Sequence, residues 1–253
     1  MNEPQACAAS SSSLARAICA FVVLVVGCAS RPPSESSLVE GFETFGTSRE
    51  GRPIRGVVMG SGPETSLLLG VIHGDEPLGG PLLERFAEHL GSHPELVRGK
   101  RVVIVPVLNP DGLARRTRTN ARGVDLNRNL PAENWRPHPR HGIAPGSEPE
   151  TRALLKILRQ FRPARILAIH SPLYCVNFDG PAQDLAEAMA GACGYPVQPS
   201  IGYETPGSLG SYAGKDQGIP TITLELARDS RRSSIWAEMA ETLLLFVSMG
   251  LAR

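Results

Sequence analysis

The chain has 253 residues, with 26 Lys and Arg against 25 Asp and Glu and a formal charge of +1. That balance gives no global attraction to nucleic acid or to an anionic surface. The stretch from Gly41 onward is long enough for one α/β domain with its own core, and no internal repeat divides it.

In chain order the first feature is an apolar run of ten residues, Ala17 to Val26, after Arg16. It is too short to span a bilayer and has the length of a signal-peptide core. Val25-Val26-Gly27-Cys28 follows, then Ala29. This resembles a bacterial lipobox, which makes Cys28 the lipidation candidate, residues 1–27 the signal and 28–40 a polar, proline-rich tether. A plain secretory signal cut near Ala29, or a short membrane anchor, is the alternative. The lipoprotein reading predicts a periplasm-facing chain held to a membrane by lipid, and Ala29 permits the outer membrane. Cys7 and Cys19 leave with the signal; Cys175 and Cys193 remain, either as a disulfide or as two separate thiols.

Apolar segments predict strands at Ile54–Met59, Ser66–Ile72, Arg101–Val107, Ala164–Ile169 and Thr221–Leu224. Amphipathic patterns predict helices at Pro81–Leu90, Pro149–Phe161, Ala182–Ala192 and Ser234–Met249. Ser147 with Glu150 reads as a capping box opening the second helix. Apolar strands alternating with helices imply a mostly parallel sheet covered on both faces, whose ligands collect at the carboxyl ends of strands. His73, Asn109, His170 and Glu225 each follow a strand directly.

His73 and Glu76, three residues apart after a strand, can turn toward one divalent metal. Chance produces His-x-x-Glu often, so its weight comes from the motifs that follow: Asn109-Pro110-Asp111-Gly112, Gly123-Val124-Asp125-Leu126-Asn127-Arg128-Asn129, Ile169-His170-Ser171 and Thr223-Leu224-Glu225-Leu226. In that order these resemble the zinc carboxypeptidase family over roughly residues 45 to 250. Within it, His170-Ser171-Pro172-Leu173 and Thr205-Pro206-Gly207-Ser208 are similar to the bacterial amidases of murein peptides.

The resemblance implies a mixed, mostly parallel eight-stranded sheet with helices on both faces. It implies one Zn²⁺ per chain held by His73, Glu76 and His170, with Asp125 taking the second N–H of His73. Glu225, flanked by Leu224 and Leu226, is the implied acid/base; a strand-end glutamate paired with an arginine is the plain alternative. Asn127 and Arg128 match the pair that grips a substrate carboxylate, Arg118 (or else Arg115) the oxyanion donor, and Tyr203 a tyrosine that closes over substrate. The basic cluster Arg115, Arg116, Arg118 and Arg122 favours an anionic substrate, and Leu209 marks the specificity position. His89, His93, His138 and His141 read as surface residues.

The implied function is hydrolysis of the γ-D-glutamyl-diaminopimelate bond of murein peptides. Two other readings stay open: a zinc carboxypeptidase or deacylase acting on ordinary peptides or acylated amino acids, and a non-catalytic lipoprotein that binds wall peptides. The complete set of His73, Glu76, His170 and Glu225 argues against the last.

Overall fold

The computed structural model describes residues 41–250. The signal, the tether and Cys28 lie outside the described residues. One eight-stranded sheet organises the domain: β1 Glu43–Thr47, β2 Pro53–Met59, β3 Thr65–Leu69, β4 Arg101–Val105, β5 Arg165–His170, β6 Leu173–Asp179, β7 Val197–Gln198 and β8 Thr221–Ala227. Their spatial order is β1-β2-β4-β3-β5-β8-β6-β7. The centre, β4-β3-β5-β8, is parallel throughout. β1, β2 and β6 join antiparallel, and β7 extends β6 in parallel. The expected mixed, mostly parallel sheet is thus present.

Helices cover both faces because the central strands are apolar on both sides. Every residue of β3 and β5 is buried. Leu68, Ile104, Leu167, Ile169 and Leu224 pack with α1 Gly79–Ser92, α4 Gln183–Cys193 and α5 Ile235–Ser248. Their neighbours Leu67, Leu69, Val103, Val105 and Ile166 pack with α3 Pro149–Phe161 on the other face. This is the two-residue alternation of a strand. No described helix is long and apolar enough to cross a membrane.

Several expectations need correction. Strands β1, β6 and β7 and the short helix α2, Pro110–Arg115, were not predicted. The strand expected at 66–72 stops at Leu69, because Gly70 lies against Pro106 and Val71 adopts a positive φ of 43°. The capping box does not form. Glu148 occupies the N-cap of α3 but its side chain does not cap the helix, and Glu150 is fully buried, accepting from Arg49 N and Asn120 Nδ2. Both remaining cysteines are free thiols, Cys175 buried in β6 and Cys193 at the end of α4.

Candidate active site

The carboxyl ends of β3, β5 and β8 supply three turns or rungs that meet at one point. After β3 the chain turns through His73-Gly74, where a Cβ on Gly74 would lie 1.9 Å from the Gly112 carbonyl carbon. Only glycine lets this turn rest on α2, which is how the Asn109-Pro110-Asp111-Gly112 motif matters. Asn109 is buried, caps α2 through Gly112 N at 2.9 Å and donates to Ile72 O at 3.2 Å. It braces the turn and is not a ligand, which corrects its grouping with the strand-exit site residues.

His73, Glu76 and His170 are all buried, and their ligand atoms lie within 4.8 Å of one another. His73 Nδ1 is 2.9 Å from Glu76 Oε1, His170 Nδ1 is 2.8 Å from Glu76 Oε2, and the two Nδ1 atoms are 3.0 Å apart. These spacings approach the edge of a tetrahedron with zinc bonds of about 2.0–2.1 Å, roughly 3.3 Å. Asp125 accepts from His73 Nε2 at 3.0 Å, which orients the ring so that Nδ1 faces the centre. Burial opposes charge on His73, but Asp125 and Glu76 on either side outweigh it and raise its pKa. Burial likewise raises the Glu76 carboxyl, yet His170 and His73 hold it far below the usual range. The donor set therefore fits zinc: two imidazole nitrogens and a carboxylate, with a dication able to take the place of the imidazole protons.

Arg118 ties the centre to its support. Its Nη1 donates to Glu76 Oε1 and its Nε to Asp125 Oδ2, both at 3.0 Å. Arg115 instead pairs with Glu50, Arg122 lies 3.9 Å from Glu148, and Arg116 is the exposed left-handed residue ending α2. Of the basic cluster, only Arg118 joins the site. Asn127 and Arg128 follow in the turn that Asp125 caps. Asn127 Oδ1 accepts from Leu209 N at 2.8 Å, and Arg128 Nη1 donates to Asn127 O at 2.6 Å. Among the described residues this is the one protein hydrogen bond of the Arg128 guanidinium, and both side chains line the pocket.

Glu225 lies within β8 rather than after its end, beside His170 on β5 and opposite Cys175 on β6. Burial raises its pKa, His170 opposes this and Glu76 adds to it. Burial also pushes the facing Cys175 thiol up to about 11, so that sulfur stays protonated and inert. Tyr203 is exposed on the pocket rim. Leu209 borders the pocket but is 2% exposed and packs in the core with α3, so it offers a substrate little surface. His141 is also buried, its Nδ1 donating to Arg136 O at 2.8 Å, whereas His93 and His138 are exposed and His89 is half-buried.

The cavity holds about 230 Å³ and is lined, beyond these residues, by Asn177, Asp179, Thr223 and Lys215. Sequence reading missed these. The polar alternation of Asn177 and Asp179 with Val176 and Phe178 was the available sign of a half-buried strand.

The profile of the zinc carboxypeptidases matches residues 33–180. Murein peptide amidase A of Escherichia coli K12 is 36% identical over 213 residues, covering 77% of this chain and 85% of that protein. The crystal structure of a murein-tripeptide amidase from Escherichia coli O157 superposes with a TM-score of 0.73 at 33% identity, covering 85% of this chain and 96% of that one. Carboxypeptidase A from Helicoverpa armigera, 22% identical with a TM-score of 0.68 over 81% of this chain and 66% of its own, shares the fold. The chain belongs to the zinc carboxypeptidase family and is a hydrolase.

Proposed function

We propose that the protein cleaves the amide between γ-D-glutamate and diaminopimelate in murein peptides. The observation that carries this is a buried His73-Glu76-His170 cluster sharing one pocket with Glu225, Arg118 and Arg128. The murein amidase relatives support the choice of substrate. His73, Glu76 and His170 would hold the zinc, which would supply the Lewis acidity to polarise the amide carbonyl and lower the pKa of water. Arg128, with Asn127 beside it, binds the carboxylate next to the scissile nitrogen and fixes the leaving residue. Glu225 takes a proton from the attacking water and delivers it to that nitrogen, a task suited to a carboxyl whose pKa burial has raised. Arg118 faces the developing oxyanion and, through Asp125, also keeps His73 in register. Tyr203 covers the occupied pocket.

The test is hydrolysis of L-Ala-γ-D-Glu-diaminopimelate by the zinc-loaded enzyme, against its C-terminal amide and a panel of ordinary dipeptides. The free acid should be strongly preferred. Equal rates on acid and amide would remove the carboxylate clamp and leave a deacylase or endopeptidase.

Cys28 is proposed to carry lipid and to hold the domain against a membrane on its periplasmic side. Two or more acyl chains anchor stably where one does not. Fractionation of cells expressing Cys28→Ala should release the protein from the membrane; unchanged association would assign the anchoring to the apolar run Ala17–Val26.

A further inference from the structure

The floor of the pocket carries an ion pair that neither the metal centre nor the carboxylate clamp uses. Lys215 Nζ lies 3.2 Å from Asp179 Oδ1. Both groups line the same cavity as Glu225. The register of β6 against β8 explains how they reach it. Cys175 faces Glu225, Asn177 faces Thr223, and Asp179 faces Thr221. Alternate residues of a strand share a face, so Asn177 and Asp179 descend from the acid/base one and two rungs at a time.

The Asp179 carboxylate is seated deliberately. Its side chain is 16% exposed, and it rests on the π-helical segment Gly210–Asp216. A Cβ on Gly210 would lie 1.9 Å from Asp179 Oδ2, and one on Gly214 would lie 2.5 Å from Asp179 Cβ. Two glycines four residues apart therefore clear one helical face for a single carboxylate. Lys215, next to the second glycine, reaches over it with its side chain 60% exposed.

We propose that Asp179 and Lys215 are the specificity determinants of the pocket and that they read a leaving residue whose side chain ends in both an ammonium and a carboxylate. Once Arg128 and Asn127 hold the carboxylate beside the scissile nitrogen, the leaving side chain points to this floor. An apolar side chain there would desolvate two charges and satisfy neither. A purely basic chain would compete with Lys215 for Asp179, and a purely acidic one would meet Asp179 on the same floor. A terminal zwitterion matches both: its ammonium to Asp179 and its carboxylate to Lys215. Within the murein reading, on which this inference rests, diaminopimelate has that end.

The experiment uses L-Ala-γ-D-Glu-X with X as meso-diaminopimelate, lysine, 2-aminopimelate or norleucine, and the same leaving residues on a benzoylglycyl group. Wild type should favour diaminopimelate over each analogue by about tenfold or more, less than a fully desolvated polar site gives because Lys215 is half in solvent. Lys215→Met should collapse the ratio of diaminopimelate to lysine, and Asp179→Asn the ratio of diaminopimelate to 2-aminopimelate. Calorimetric binding of free meso-diaminopimelate, lysine and norleucine to the zinc protein reads the same preference without turnover. Norleucine handled within threefold of diaminopimelate in both assays, or a variant that lowers all four substrates alike, overturns the proposal. If the γ-glutamyl series is untouched while the benzoylglycyl series keeps the preference, the murein reading fails and the selector stands.

Discussion

Two buried acidic networks meet at α2, one through its own Asp111 and the other through the His73-Gly74 turn that rests on Gly112, and they solve different problems. In one, Asp111 is fully buried and accepts from Ser48 Oγ at 2.7 Å, Arg52 Nη1 at 2.6 Å and Glu50 N at 2.9 Å. Nearby, Glu148 and Glu150 share Asn120 Nδ2 at 3.0 and 3.1 Å. Each carboxylate has its donors. In the other, His73, Glu76 and His170 face one another at 2.8–3.0 Å beside a pocket. There two imidazole Nδ1 atoms meet, and among the described residues the buried His170 Nε2 has no partner. A structural network is closed when its own donors and acceptors are counted. A site keeps unused capacity and aims it at a cavity.

Breaking the open network should remove chemistry and spare the fold. His170→Ala removes one of three ligands, and zinc per purified chain should fall from about one to near zero. Elemental analysis checks this, and stoichiometric zinc in the variant would move the metal elsewhere. Glu225→Gln should keep zinc and melting temperature while turnover falls by roughly 10²–10⁴, the range for a general acid–base group. A kcat within threefold of wild type would make Glu225 structural. Arg128→Ala should lower kcat/KM by about 2–4 kcal/mol of transition-state binding, the range for truncating one member of a desolvated charge pair. Its effect on the C-terminal amide substrate should be small, because that substrate offers no carboxylate to lose.

The same comparison shows what the sequence could carry. The parallel centre was legible because strands buried on both faces read as unbroken apolar runs, such as Leu67-Leu68-Leu69 and Ile166-Leu167-Ala168-Ile169. His73, Glu76, His170 and Glu225 are legible through the ordered motifs that resemble the zinc carboxypeptidases; the strand exits at His73, His170 and Glu225 add weight but do not suffice alone. The edges were not legible: β1 buries only Phe45 of its five residues, β7 has two residues, and β6 follows Pro172 and spends Asn177 and Asp179 on the pocket. Distinguishing the two networks was also beyond local pattern. Arg115, Arg118 and Arg122 look alike in the chain, yet they pair with Glu50, with Glu76 and Asp125, and with Glu148. Ser147 and Glu150 have capping-box spacing, but Glu150 is drawn inward by Arg49 N and Asn120, whose places depend on the tertiary fold. Spacing reports what a residue is able to do locally; which distant donor arrives first decides what it does.

The closed network should answer in the opposite currency, stability without chemistry, and its pH dependence gives the sharpest form of the contrast. Burial would raise the Asp111 carboxyl, but Ser48 and Arg52 outweigh it and hold its pKa below the ordinary value. A carboxyl depressed in the folded state contributes stability that is present above its unfolded pKa of about 3.9 and lost as pH falls through the folded value. Asp111→Asn should therefore unfold more easily at pH 7 by roughly 1–3 kcal/mol, the cost of leaving buried donors poorly paired. The gap to wild type should narrow below about pH 4, since the substituted protein has no carboxylate there to protonate. Denaturant titrations at pH 3 and pH 7 measure both quantities, and kcat/KM at pH 7 should stay within about threefold of wild type, since Asp111 touches neither pocket nor metal ligands. A gap that stays constant with pH would mean that Asp111 contributes shape rather than charge. A large loss of kcat/KM would mean that α2 transmits strain through Gly112 to the His73 turn, and that the two networks are one.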